Sequence, residues 1–169
     1  MTHPTADAIA RHLNGRRLAC AESCTAGRLS AEFAVVEGAV DWFRGALVAY
    51  QTEIKRSLLD VTAQVVVSEQ AAVQMAAGVS RLLDADVTVA TTGVIGDTPQ
   101  EGVPPGTVVI ATSVDGATRV HRHQFAGSSE NMCQQAITTA LDTLLSHLQG
   151  SRGAADEASE PHGVRRPSR

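Results

Sequence analysis

The stretch Ala21-Glu22-Ser23-Cys24-Thr25-Ala26-Gly27 carries the side chains of this chain best suited to chemistry. It follows a short apolar run, Leu18-Ala19-Cys20, and precedes a segment that reads as helical. A strand that passes through small residues into a helix brings backbone N–H groups and a serine hydroxyl to one point. Free N–H groups at a helix start favour anions, whether phosphates or developing oxyanions. Ser23 can there be a nucleophile beside a ready-made oxyanion hole. It can equally be an N-cap, the ordinary use of Ser and Thr at such joints. The local pattern leaves both readings open.

Other reactive residue types say less. Cys20, Cys24 and Cys133 are an odd set without a zinc-type CxxC pair. Cys20 reads as a small buried hydrophobe in the first strand. Cys24 lies near a helix start, where a thiol pKa can fall. A cysteine nucleophile needs a positioned histidine base, however, and no histidine is nominated. Cys24 therefore reads as structural. His121 and His123 are two apart and share a strand face. No carboxylate or cysteine stands at a convincing spacing, so a polar strand face is the better account and no metal is expected. Gly93 and Gly96 follow a buried strand and make a turn where backbone can approach a ligand closely.

These residues need elements to position them, and the chain alternates between helical and extended patterns. Residues 5–14 read as a helix with Ile9 and Leu13 inward, ended by Asn14-Gly15. Leu18–Ala21 reads as a first strand, residues 25–35 as a helix, Gly45–Tyr50 as a second strand and Thr52–Leu58 as a short helix. Ser68–Leu83 is a longer helix with Ser68 as N-cap. Val87–Thr91 is a β-branched run of the kind buried on both sides. Thr107–Ser113 and Thr118–Phe125 flank Asp115-Gly116, a strong hairpin signal. Residues 129–148 close the domain as a helix with Met132, Ala136, Ala140, Leu144 and Leu148 on one stripe. The sum is an α/β fold, a three-layer α/β/α sandwich with a mixed, mostly parallel sheet. Ligands in such sheets bind at the carboxyl ends of the strands.

The chain has 169 residues, 43% of them hydrophobic, enough for one domain with a substantial core. The single domain is placed at 1–150. The segment 151–169 is rich in small, charged and Pro residues and is expected to be a disordered tail. A formal net charge of −4 argues against general nucleic-acid binding. No apolar run could span a bilayer and no leader pattern opens the chain, so the expected location is the cytoplasm, without a membrane partner.

Further segments stand in a telling order: Trp42-Phe43-Arg44-Gly45, Leu47 through Lys55, Leu58-Leu59-Asp60-Val61, Val67-Ser68-Glu69, Thr92-Gly93-Val94-Ile95-Gly96 and Pro105-Gly106-Thr107-Val108. Together with Glu22–Gly27 they resemble the C-terminal domain of the CinA (competence/damage-inducible) family, over residues 5 to 148. That family includes stand-alone nicotinamide-nucleotide amidohydrolases, and the resemblance implies the same architecture. It also implies hydrolysis of the carboxamide of nicotinamide mononucleotide to nicotinate mononucleotide and ammonia. Ser23 matches the family's nucleophile, and Lys55 and Tyr50 match the lysine and tyrosine that assist it. Glu22 matches a family glutamate that could orient the site or bind ribose hydroxyls. Thr25, Ala26, Gly27, Thr92 and Gly93 match substrate-binding positions. The implied partner is a small-molecule nucleotide, no cofactor is called for, and the family allows a homodimer.

The implied chemistry sets physical conditions. Amide hydrolysis needs a nucleophile, a proton for the leaving amine and donors for the oxyanion. Lys55 can serve as base only if its pKa falls by about three units to roughly 7–8, which demands burial or a neighbouring cation. Tyr50 could relay a proton or steer the ammonium group. Three stretches depart from the family's pattern. Ala26 replaces the first of two glycines, Ile95-Gly96-Asp97 replaces Ala-Gly-Pro, and Ser129 stands where the family commonly has an arginine able to contact phosphate. Arg28, Arg44 or Arg122 could compensate. Two alternatives to the amidohydrolase therefore stand: a catalytically weak or inactive nucleotide-binding relative, and a serine amidase for another, non-phosphorylated substrate.

Overall fold

Near-continuous buried runs along the inner strands sort this chain into a sheet with helices on both faces. The structure, a computed structural model, describes residues 3–158, with side chains through Ser151. The elements follow as α1 (Pro4–Leu13), β1 (Leu18–Glu22), α2 (Arg28–Ala34), α3 (Ala39–Trp42), β2 (Phe43–Val48), α4 (Thr52–Leu59) and α5 (Glu69–Leu83). The chain continues with β3 (Val87–Gly93), β4 (Thr107–Val114), β5 (Ala117–Gln124) and α6 (Ser129–Ala158). The five strands lie in the order β2-β1-β3-β4-β5. β1 is parallel to both β2 and β3, whereas β4 runs antiparallel to β3 and to β5. Only β4 thus opposes the common strand direction, and its two neighbours divide the pairings evenly between parallel and antiparallel.

Each face of the sheet has its own core. Leu18, Cys20, Val87, Val89, Val108 and Ile110 pack against α1, α2 and α6. Ala19, Ala21, Ala90, Val109 and Ala111 face α4 and α5 through Leu59, Met75, Ala76 and Val79. The second face is built from smaller side chains, and α5 comes correspondingly close. Gly78 sits where a Cβ would meet the Leu59 carbonyl oxygen and lie 2.8 Å from the Leu59 Cα. A glycine inside a helix costs about 1 kcal/mol against alanine, and here it is what lets α4 lie directly on α5.

Local signals gave most element ends. Ser68 caps α5, its hydroxyl accepting from the Ala71 N–H at 3.2 Å. Asp115 and Gly116 both take positive φ, 50° and 85°, in the tight turn between β4 and β5. Met132, Ala136, Ala140, Leu144 and Leu148 are all buried along α6.

The structure shifts other expectations. β2 is Phe43–Val48, so Tyr50 lies beyond the strand. β3 runs on to Gly93 because β4 pairs with it along its whole length. α6 continues to Ala158, past the expected domain end at Gly150 and into the expected tail. Ala154, Ala155, Glu157 and Ala158 are good helix formers with no proline among them. The remainder of the tail, 159–169, lies outside the described residues. No helix among the described residues is long and apolar enough to cross a membrane.

Candidate functional site

The carboxyl ends of β1, β2 and β3 lie side by side, and the segment leaving β1 is held on both flanks. The Ser23 N–H donates to the Thr91 carbonyl at 2.9 Å, and the Ala49 N–H donates to the Glu22 carbonyl at 2.7 Å. Ser23 is thereby fixed at the rim of the sheet. Beyond it the chain turns tightly, with the Ala26 N–H donating to Ser23 O at 3.1 Å and the Arg28 N–H to Thr25 O at 2.9 Å. Ala26 adopts φ 50° and Gly27 φ 92°. The glycine is at home in that region, and the alanine is strained there.

Glu22 explains why this turn has one shape. Its side chain is fully buried. Oε2 accepts from the Thr25 hydroxyl at 2.6 Å and from the N–H groups of Gly27 (3.0 Å) and Leu29 (3.1 Å). Oε1 accepts from the Ser30 N–H at 2.8 Å. The carboxylate therefore occupies the N-terminus of α2, where the dipole and free N–H groups favour negative charge.

Three expectations change as a result. The helix starts at Arg28 rather than near residue 25. Its N-cap position is Gly27, without a side-chain bond, so Ser23 is no N-cap. And the anion site at this helix start is filled by the protein's own carboxylate, which places Glu22 beneath the turn rather than in the wall of the adjoining cavity. Gly27 is likewise absent from the cavity wall, its α-carbon turned toward the Val48 side chain.

The cavity has a volume of about 690 Å³, and Ser23, Thr25, Ala26, Tyr50, Lys55, Thr92 and Gly93 all line it. Ser23 is 7% exposed. Its hydroxyl makes no hydrogen bond among the described residues, and the backbone N–H groups of Cys24 and Thr25 have no acceptor there. Thr25 Oγ1 gives its hydrogen to Glu22, so the 2.8 Å contact with Thr91 Oγ1 must be donated by Thr91. Thr92 is buried and donates to the Val66 carbonyl at 2.7 Å. Gly93 lies so close to Thr107 O and Val108 that a Cβ would come within 2.8 Å of both.

Lys55 reaches this cavity from α4. It is 2% exposed, and Nζ donates to the Tyr50 carbonyl at 3.0 Å. Burial lowers its pKa from the ordinary lysine value; a Cys24 thiolate would oppose this, but that thiol keeps its proton at neutral pH, which leaves the Glu101 carboxylate as the opposing charge. The condition set by the sequence, a lysine out of water, is met in direction. Tyr50 contributes differently from expectation. Its side chain is 65% exposed at the cavity wall, and the atom that steers Lys55 is its backbone oxygen.

Cys24 also lines the cavity. Burial pushes its thiol up to about 12, with Cys133 adding to the shift. The thiol stays protonated at neutral pH and is a poor nucleophile. His121 and His123 share a face of β5 with ring centroids 6.4 Å apart, and His123 stacks on Phe125. Neither lines the cavity.

Sequence reasoning named Arg28 as a possible compensating cation but missed its partner Glu130 and the nearby Glu101. Arg28 and Glu130 form a bidentate ion pair at the cavity, joining the starts of α2 and α6. Glu101 lies near enough to Lys55 to act on its charge and accepts from the Val66 N–H at 2.9 Å. These contacts join distant parts of the chain, and no local spacing announces them. Arg44, the second arginine considered as a compensating cation, donates instead to the Leu83 carbonyl at 2.9 Å. Arg122 is exposed on β5, and neither of these two arginines lines the cavity.

The model of the CinA C-terminal domain family matches residues 3–148. A CinA-like protein of Thermotoga neapolitana is 38% identical over 144 residues, 80% of this chain and 35% of the relative. A CinA-like protein of Mycobacterium tuberculosis is 36% identical over 155 residues, 86% of this chain and 36% of the relative. The chain spans about a third of the length of these curated relatives. Two crystal structures of CinA superfamily proteins, from Enterobacter cloacae and Klebsiella pneumoniae, are similar with TM-scores of 0.82 and 0.83 at 32% identity. They cover 85% and 89% of this chain and 90% and 99% of their own.

Two outcomes follow from this geometry. Glu22→Gln sets an amide against a ring of N–H donors and removes a charge-assisted acceptor, so stability should fall by about 2–4 kcal/mol. Urea unfolding should show a lower midpoint at unchanged m. Lys55→Met should raise Tm at neutral pH, because the wild-type fold buries an amine whose charged form burial disfavours. The unfolded chain binds protons up to the ordinary lysine value of 10.5 and the folded chain only to a lower one. Wild-type stability therefore gains as pH rises through that window, and the advantage of Lys55→Met should shrink toward pH 10.5.

Proposed function

The chain belongs to the CinA C-terminal domain family, and from that premise we propose that it deamidates nicotinamide mononucleotide to nicotinate mononucleotide and ammonia. Ser23 is the nucleophile and Lys55 the base. The observation that carries this reading is the meeting, in one cavity, of an unpartnered serine hydroxyl and a buried amine with a lowered pKa. The cavity volume of about 690 Å³ falls within the range of small-molecule sites.

In the proposed reaction neutral Lys55 takes the Ser23 proton as Oγ bonds to the carboxamide carbon. The Cys24 and Thr25 N–H groups donate to the oxyanion that forms. The Tyr50 carbonyl keeps the Lys55 amine in place throughout. The tetrahedral adduct collapses with cleavage of the C–N bond, and the Lys55 ammonium returns its proton to the departing nitrogen as ammonia leaves. Water then attacks the Ser23 ester, again with Lys55 as base, and frees the carboxylate and the serine. Thr92 and Gly93 form the wall built by the end of β3.

The tie between Arg28 and Glu130 favours a serine amidase for a non-phosphorylated amide, because it engages a cavity cation that a nucleotide phosphate would use. Ser129, which brings no charge to the cavity wall, favours a nucleotide-binding protein with little or no turnover.

Ammonia release from nicotinamide mononucleotide tests the first reading. The parent protein should release it, and Ser23→Ala and Lys55→Ala should each lower kcat by at least about a thousandfold. A folded parent that releases none would remove this substrate assignment.

A further inference from the structure

The charged residues of the cavity wall are Arg28, Lys55 and Glu130. Lys55 lies deep and is engaged with the Tyr50 carbonyl. Arg28, the first residue of α2, is the remaining cation of the wall among the described residues. Its Nη1 donates to Glu130 Oε2 at 2.8 Å and its Nη2 to Glu130 Oε1 at 2.7 Å. Ser129, adjoining Glu130 on the same wall, supplies no charge.

The pair is built to exchange. Its side chains are 40% and 71% exposed, and an ion pair between two such groups stabilises little in water. Glu130 sits in the first turn of α6, where a carboxylate is stabilised by the helix dipole with or without Arg28. A guanidinium fork that holds a carboxylate bidentately presents the same geometry to a phosphate monoester, whose greater charge competes well for it.

We propose that Arg28 is the specificity-determining residue for the substrate's phosphate, its guanidinium passing from Glu130 to the phosphate on binding. The inference rests on the amidohydrolase reading for the identity of the substrate. Glu130 acts as an internal competitor that occupies the fork in the empty site. Arg28 holds the phosphate and takes no part in the bond changes at Ser23, so its loss weakens binding with little effect on kcat.

The test compares nicotinamide mononucleotide with nicotinamide riboside, the same amide without phosphate. Calorimetric titration uses Ser23→Ala protein, so that no turnover intervenes. The mononucleotide should bind about 10- to 100-fold more tightly than the riboside. Adding Arg28→Gln should abolish that preference, Arg28→Lys should keep part of it, and Glu130→Gln should enlarge it. With Ser23 intact, Arg28→Gln should raise KM for the mononucleotide about 10-fold or more at nearly constant kcat. A preference that survives both Arg28 substitutions overturns the proposal, as does equal binding of the two ligands before Arg28 is changed. Titration and turnover separate the two claims. Phosphate preference lost in Arg28→Gln but with no ammonia from either amide would sink the amidase reading alone. Ammonia release with the preference intact in Arg28→Gln would sink the Arg28 assignment alone.

Discussion

A single buried carboxylate determines where this site can be. Glu22 ends the interior strand β1, and its two oxygens bind the Thr25 hydroxyl and the first N–H groups of α2. One side chain thus joins strand, turn and helix into a rigid corner. Removing the side chain would leave several donors buried without an acceptor, which costs far more than an ordinary hydrogen bond contributes. Because that corner has one shape, the Ser23 hydroxyl is fixed at the edge of a cavity. The strained φ of Ala26 is tolerated for the same reason, since the surroundings over-determine it.

Burial serves the two flanking reactive groups in opposite ways. It holds the Cys24 proton on sulfur and lowers the proton affinity of Lys55. The same desolvation therefore keeps the Cys24 thiol protonated and favours the uncharged form of Lys55 in the cavity that Ser23 also lines. Gly78 lets α4 lie close on α5 through its contact with Leu59, and α4 is the helix that carries Lys55 into the cavity wall.

Features that depend on near neighbours were legible in the sequence. The Ser68 cap, the Asp115-Gly116 turn and the apolar stripe of α6 each follow from a few residues and one periodicity. The family pattern brought Ser23, Lys55 and Tyr50 to notice, and the structure lines one cavity with all three. What escaped was set by distance or by backbone. The start of α2 was misplaced because its cap comes from the preceding strand rather than from a Ser or Thr at the joint. Tyr50 drew attention for its phenol, yet its contact with Lys55 is a carbonyl that any residue possesses. The Arg28–Glu130 pair spans 102 residues, a separation no local signal bridges. β3 and β4 pair antiparallel across the loop that separates them, so the balance of the sheet was hidden as well.

Activation of Ser23 by an uncharged Lys55 is tested most directly by covalent capture of the serine. The rate at which a fluorophosphonate modifies the folded protein would be followed against pH, and the modified residue located by peptide mass spectrometry. The structure predicts one adduct, on Ser23, with a rate that rises with pH to a midpoint below the ordinary lysine value of 10.5. Substitution of Lys55 by methionine should remove that dependence. Failure of Ser23 to react, or a rate indifferent to Lys55, would contradict the serine–lysine pairing.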